Sequence, residues 1–485
     1  MMIWWTILAV AAAAETPAET PAENPVQLSY AHALEQALAL NPVLQGSQLD
    51  VDAADGVLLA AKGIYDPTLN ANTTTSRATN ESTREFGEVI SQNAALSWGM
   101  GLRQFAPTGT TVSLDWSSTQ SKFRYELRES GFIIEQNDPV FETRIVATIS
   151  QSLLEGHRIA SNLEGVRQAA RGLDMANADR DASRQQTLAD VATAYWDLRY
   201  LQRLADIAEH ALQTAQEEQR IVHLQVDQGT LAPVSRFQVD AAVVQADSAR
   251  IKARHDAQAA ADGLLLLVGQ EPGRPVVLMT EPAEPVPISL DIAAVVQSAL
   301  AANPELLSAR VREEATDMAR RHARHMQLPQ HDANLSYALN GYEPSPGGAT
   351  KEMFAGDLPE WSMGGTLSFP LLNRADRGEF RSKNAAAARA QIDRLALERA
   401  VSQQVRAQAR TVVAAHAQVR LSRANEALEE KTLDAQRALR EAGRAIQKDV
   451  LEAISKLNDA KVATEKALAD YQLALIELER LKGSL

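Results

Sequence analysis

The residues whose types and spacing carry the most distinctive chemistry are Asp449 and Glu452. At i and i+3 they share one face of a helix, where paired carboxylates either attract cations or stand as two solvated charges. Arg440 and Arg444 lie just before them and can pair across to neighbouring helices. His322 and His325, with His331 nearby, are metal-ligand types about one turn apart. Exposed helical histidines are far commoner than ligands, so no metal site is assigned. Tyr195 and Trp196 read as packing side chains. There is no phosphate-cradling glycine loop, no HExxH and no Gly-x-Ser-x-Gly after a strand. The expectation is a protein without catalytic residues or cofactor, not an enzyme.

Composition narrows the class further. Lys+Arg 48 against Asp+Glu 62 gives a net charge of −14, which argues against a nucleic-acid partner. The absence of cysteine excludes disulfides, thiolate metal sites, cysteine catalysis and a lipidated cysteine. Aromatics make up only 5% of the chain, and alanine dominates stretches such as Ala385–Ala417, a composition suited to long, closely packed helices. The apolar run Ile3–Ala14 predicts a signal peptide over 1–14, and the Glu-Thr-Pro-Ala repeats that follow predict a flexible linker over 15–27. No later stretch reaches 18 uninterrupted apolar residues, so no transmembrane helix is expected.

The elements that must position these residues come in two copies. Asn41-Pro42 and Pro67 recur as Asn303-Pro304 and Pro329 at an offset of 262, Leu153-Leu154 as Leu371-Leu372 at 218, and Gly229 and Gly269 as Gly443 and Gly483 at 214. The slip from 262 to 218 leaves 44 extra residues in the first copy. The copies span 28–280 (helix, four strands, long helix, return helix) and 281–485 (helix, two strands, long helix, return helix). Long helices are expected over His157–Gln228 and Arg374–Ala442; near 70 residues at ~1.5 Å each, they reach about 105 Å. Return helices are expected over Pro233–Leu267 and Ile446–Lys482. Ala424, Leu428, Ala435, Ala438 and Ala442 follow the steps of a coiled-coil wall.

The strands separate a solvated coiled coil from something else. Ser97–Arg103 puts Trp98, Met100 and Leu102 on one face, and Thr111–Ser117 does the same with Val112, Leu114 and Trp116. Such alternation means one apolar and one polar wall: core in and water out for a sandwich, or lipid out and channel in for a membrane barrel. Thirteen of the 23 aromatic residues fall within 67–153 and 329–372, about a quarter of the chain, as bilayer-interface girdles require. A barrel shared among protomers is therefore expected, with Trp98, Met100, Leu102, Val112, Leu114 and Trp116 facing lipid. Gly341–Glu360, polar and rich in Gly and Pro, reads as an extracellular loop.

The duplicated Ala-Leu-x-x-Asn-Pro opening resembles the TolC-type outer-membrane efflux family. So do the helix-to-strand prolines 67 and 329, and Gln151-Ser152-Leu153-Leu154 with its counterpart Phe369-Pro370-Leu371-Leu372. The hairpin tips Gly229–Ser235 and Gly443–Glu452 complete the likeness, which covers nearly everything after the linker. The resemblance implies an α+β membrane protein: a homotrimeric β-barrel in the outer membrane, continuous with a coiled-coil α-barrel in the periplasm. It implies a passive exit duct for tripartite efflux or type I secretion, docked through a periplasmic adaptor to an inner-membrane pump. Asp449 and Glu452, with Arg440 and Arg444, would then line the periplasmic entrance, and Gly229, Leu231, Ser235, Gly443 and Ile446 would meet the adaptor. Family members place two strands per copy, so the extra hairpin either makes six strands per protomer and an eighteen-stranded barrel, or folds as a plug or cap. The competing reading is a non-pore periplasmic coiled-coil adaptor or scaffold.

Overall fold

The computed structural model describes residues 25–84, 87–127, 131–135, 138–282, 285 and 291–485. The expected signal peptide and nearly all of the expected linker lie outside these. The first copy contributes β1 (Val26–Leu28), α1 (Tyr30–Leu40), α2 (Pro42–Lys62), β2 (Thr68–Arg84), β3 (Gly87–Phe105), β4 (Thr110–Leu127), β5 (Phe132–Glu135), β6 (Val140–Ser152), α3 (Ile159–Asn162), α4 (Glu164–Asp227), α5 (Val234–Leu267) and β7 (Val276–Leu278). The second contributes α6 (Ile292–Ala302), α7 (Pro304–His325), β8 (Gln330–Glu343), α8 (Pro346–Ala355), β9 (Pro359–Ser368), α9 (Arg374–Glu441) and α10 (Gln447–Lys482). The chain forms two compact units, one from residues up to Gly46, Asp181–Asn303 and Ala400–Leu485, the other from Ser47–Arg180 and Pro304–Arg399. Each copy of the repeat thus supplies part of both.

In the first unit the Asn-Pro marks have a structural cause. Asn41 and Asn303 end α1 and α6 in extended conformation and are both buried. Asn41 Nδ2 donates to the Leu267 carbonyl at 2.8 Å, and Asn303 Nδ2 to the Leu481 carbonyl at 3.3 Å. Each asparagine therefore satisfies an orphan carbonyl at the end of its own copy's return helix. Gly269 and Gly483 follow those helices at φ 77° and 72°, the left-handed C-cap that glycine adopts without strain. The core gathers Tyr195, Leu198, Leu264, Leu265 and Val268 around Leu28, Ala33 and Ala37. Tyr195 is fully buried; its hydroxyl donates to the Leu28 carbonyl at 3.3 Å and accepts from Thr280 N–H at 3.1 Å. Trp196 stacks edge-on at 5.4 Å, confirming both rings as packing. Leu28 is held by β1 pairing in parallel with β7, so Val26 and Gln27, read as the end of the linker, are strand.

The stripe expected to pack α9 is a different one. Val401, Val405, Ala409, Val412 and Val419 are buried, in steps of four, four, three and seven. Ala424, Leu428, Ala435, Ala438 and Ala442 are all exposed in the protomer, Leu428 at 61%. A helix whose apolar residues are mostly Ala and Val carries two apolar stripes, and one chain covers only one of them.

In the second unit, six long strands and β5 form one antiparallel sheet of order β2-β3-β4-β6-β8-β9, with β5 beside β4. The extra hairpin of the first copy is β3–β4 and lies within the sheet, not as a plug or cap. The strands of this hairpin run further than the expected Ala94–Phe105 and Thr110–Lys122, over 19 and 18 residues. Gly99 and Gly101 make room for neighbouring side chains: a Cβ on Gly99 would come within 2.8 Å of Asn72 Oδ1, and one on Gly101 would displace the Asp115 carboxylate. The first long helix starts at Glu164, seven residues later than expected. The intervening chain turns at Gly156 (φ 82°), where Asn162 Nδ2 donates to the carbonyls of Pro107 and Gly156 at 2.9 and 2.7 Å. The region read as an extracellular loop is partly helix. Ser345 caps α8 by accepting from Gly348 N–H at 3.1 Å, Pro346 opens it, and Gly356 closes it at φ 77°. Ser-Pro before a helix and glycine after it were the available signal.

Candidate functional site

Both hairpin tips reverse on a left-handed glycine. Gly229 (φ 75°) bonds N–H to Val226 O at 2.9 Å while Thr230 N–H reaches Gln225 O at 2.9 Å. Gly443 (φ 72°) repeats this with Arg440 O at 3.0 Å and Arg444 N–H to Leu439 O at 2.8 Å, the bonds of a Schellman end. In the first tip Ser235 is buried, Leu231 half-buried, and Arg236 pairs with Asp227 across the turn. In the second, Ile446 is 63% exposed and Arg444 lies in solvent.

The acids of the second tip have local partners. Asp449 Oδ2 accepts from Ile446 N–H at 3.1 Å, the carboxylate half of a capping box that starts α10. Glu452 is exposed and pairs with Lys456 at 2.9 Å, one turn on. The hydrogen bond from that ammonium, and then its charge, hold the Glu452 carboxyl below its ordinary range, so it is ionised at neutral pH. Arg440 does pair across helices, with a residue the sequence reading missed. Its Nη1 donates to Glu218 Oε2 of α4 at 2.7 Å and to Gln447 Oε1 of α10 at 3.0 Å, and Gln447 Nε2 donates to Glu218 at 3.3 Å. Glu218 and Gln447 are both buried. An acid on the side of α4 that also buries Leu212 and Val222 was the only signal for this triad.

The histidines are apart from this. His322 Nδ1 lies 2.9 Å from Ser161 Oγ, and His325 is buried, its ring 5.4 Å from that of His157. Burial, then the Arg158 charge, push the His325 pKa down, which keeps it neutral. Among the described residues no three His, Cys, Asp or Glu side chains converge as a metal shell.

The sheet register brings the strand residues into a belt. Leu69, Leu102, Leu114, Ala147, Tyr337 and Trp361 lie in one row across all six long strands. The adjacent row is Ala71, Met100, Trp116, Ile145, Leu339 and Pro359, with Val112, Ile149, Leu335 and Met363 on the other side. Trp98 stands one row beyond Met100, its ring 6.4 Å from that of Phe141. All belong to one face, and most are bare: Trp361 is 72% exposed and Met363 78%. The opposite face carries Asn70, Asn72, Ser113, Asp115, Thr148, Asn334, Ser336 and Ser362, with Arg144 paired to Glu360 at 2.9 Å. The six strand residues expected on one apolar wall are therefore all on it. No helix among the described residues is long and apolar enough to cross a membrane.

Comparison with known proteins agrees with this architecture. Three solved structures share the fold. CusC, described as forming a transmembrane channel, matches at 15% identity and TM-score 0.70, over 94% of this chain and 92% of its own. VceC of Vibrio cholerae matches at 16% and 0.67, over 94% and 96%. The CmeC channel of Campylobacter jejuni matches at 14% and 0.67, over 94% and 85%. No curated protein matches the chain. The model of the outer membrane efflux protein family matches residues 33–270 and 295–484, one segment in each copy of the repeat, and the chain belongs to that family.

Proposed function

We propose that three copies of this chain form a passive exit duct through the outer membrane, with most of each chain in the periplasm. The observation that carries the reading is the sheet of six long strands: one face apolar across every long strand, the other polar, and β2 and β9 at its two ends without an outer neighbour among the described residues. Unpaired strand edges do not persist in lipid, and pairing β9 of one copy with β2 of the next removes them all. Six strands from each of three copies give an eighteen-stranded barrel, wider than twelve strands would allow. The uncovered stripe at Ala424, Leu428, Ala435, Ala438 and Ala442 supports a helical contact between copies in the same assembly.

Within that assembly the tips form the periplasmic entrance. Threefold repetition of Asp449 and Glu452 makes two acidic rings that favour cations. The Arg440–Glu218–Gln447 triad ties α9 to α4 and α10 and acts as the latch that keeps the mouth narrow; Arg444, in solvent, faces the opening. Gly229, Leu231, Ser235, Gly443 and Ile446 form the tips against which a periplasmic adaptor docks, linking the duct to an inner-membrane pump for tripartite efflux or type I secretion. Exposed Ile446 supplies apolar contact, whereas the glycines and buried Ser235 hold the hairpins in shape. The pump supplies the energy, and the duct uses no cofactor.

Single-channel conductance in planar bilayers tests this. The native protein is expected to give a small, cation-preferring conductance. An Asp449→Ala/Glu452→Ala variant is expected to lose the preference, and Arg440→Ala to raise the conductance. Unchanged selectivity returns the acids to solvated charges. No channel from folded protein sinks the duct and favours the periplasmic scaffold.

A further inference from the structure

Helix α8 has no counterpart among the described residues of the first copy, and its seat is unusual. Gly341 continues the apolar face of β8 one row beyond Leu339, and a Cβ there would overlap the Ala349 carbonyl. The helix therefore lies against the apolar face of the sheet, at the end of β8 remote from α7, directly beyond the belt. It buries Ala349 and Met353 over Thr143 and Phe141, on the same face of β6. Glu352 accepts from Tyr342 N–H at 2.6 Å and fastens the helix to the strand end. The side of α8 turned away from the sheet carries Lys351 and Phe354, three apart, Phe354 69% exposed; Leu358, 40% exposed, follows just past the Gly356 cap. A helix crossing a watery loop turns polar residues outward, and this one turns out a bare phenylalanine beside one lysine, with an exposed leucine just after its end.

We infer that α8 is an interfacial helix that lies in the outer leaflet against the barrel wall. Phe354 and Leu358 enter the acyl boundary, and the Lys351 ammonium reaches the anionic headgroups. The occupant of its outer face is lipid, because the helix is seated on the same face of the sheet as the belt of Leu339, Tyr337, Trp361 and Met363, beginning one row beyond Leu339. The inference rests on the reading of that belt as the membrane face. It goes beyond that reading by placing a segment outside the strands in lipid, so that one loop per protomer is pinned to the membrane and held off the pore mouth.

The chain has no cysteine, so single nitroxide labels can be placed without background. Full-length Phe354→Cys, Met363→Cys and Ser362→Cys proteins are labelled and reconstituted in vesicles of phosphatidylethanolamine with phosphatidylglycerol. Collision of each label with oxygen, which concentrates in lipid, is compared with collision with a nickel chelate, which stays in water. The oxygen-to-nickel ratio is expected to be several-fold higher at 354 than at 362, and to approach that at 363. A 354 label as open to nickel as 362, with 363 still in lipid, overturns the interfacial helix and leaves the barrel standing. A 363 label open to nickel overturns both, and places the failure in the sheet.

Discussion

Apolar side chains meet opposite fates in the two units. Around Tyr195 they are sealed: Leu198, Leu264, Leu265 and Val268 are fully buried, and the polar atoms among them are hydrogen-bonded. Across the sheet, residues of the same character in Leu114, Leu335 and Met363 stand bare in the single chain. Burial of apolar area drives the first arrangement from within the chain. The second makes sense only against something apolar outside it, and a continuous belt over six strands is far larger than the scattered exposed leucines of a soluble surface. Exposure in one unit thus carries the information that burial carries in the other.

Substitutions that exchange these fates test the contrast. The largest effect belongs to the sealed core. Tyr195→Ala opens a cavity and strands the Thr280 N–H, while the Leu28 carbonyl keeps the Met279 N–H, at a cost of about 3–5 kcal/mol. A fall in the guanidinium midpoint, followed by Trp196 fluorescence in detergent, measures it. An unchanged midpoint would show that this cluster does not hold the unit together.

A paired substitution on the sheet comes next. Leu114→Arg sets a charge in the belt and is expected to cost about 2–4 kcal/mol when the protein folds into lipid vesicles. Thr148→Arg, on the polar face opposite Ser113 and Ser336 and within reach of Asp115, is expected to stay within about 0.5 kcal/mol. Equal penalties on the two faces would erase the distinction between them.

The smallest effect lies at Asp197, where burial, then the Asp470 charge, raise the carboxyl pKa. A carboxyl with a raised folded-state pKa binds its proton more tightly folded than unfolded. Stability therefore falls as pH rises from the unfolded value through the folded one. Asp197→Asn removes the buried charge and is expected to raise the thermal midpoint slightly at pH 8, with the gain shrinking as pH is lowered toward 4. A gain independent of pH would assign it to packing.

Much of this was legible in the chain itself. Repeated Asn-Pro, Pro67 and Pro329, and glycines 229, 269, 443 and 483 mark where helices stop, because proline lacks a donor and glycine alone enters the left-handed region freely. Period-two alternation divided Trp98, Met100 and Leu102 from Ser97, Gly99 and Gly101, because successive side chains on a strand face opposite ways. What pairs with what was not legible. Glu218 and Arg440 are 222 residues apart, and no local pattern joins them. On α9 two apolar stripes have similar spacing, and only the folded chain decided that Val401–Val419 would be covered while Leu428 stays bare. Asp449 and Glu452 could be placed on one helical face but not assigned their partners, since a cap and an ion pair depend on rotamers. Local backbone preference and side-chain periodicity are short-range and are written in the sequence. Choice among equivalent surfaces, and the charges buried between distant helices, belong to tertiary packing, where each contact is selected by the chain that happens to lie opposite.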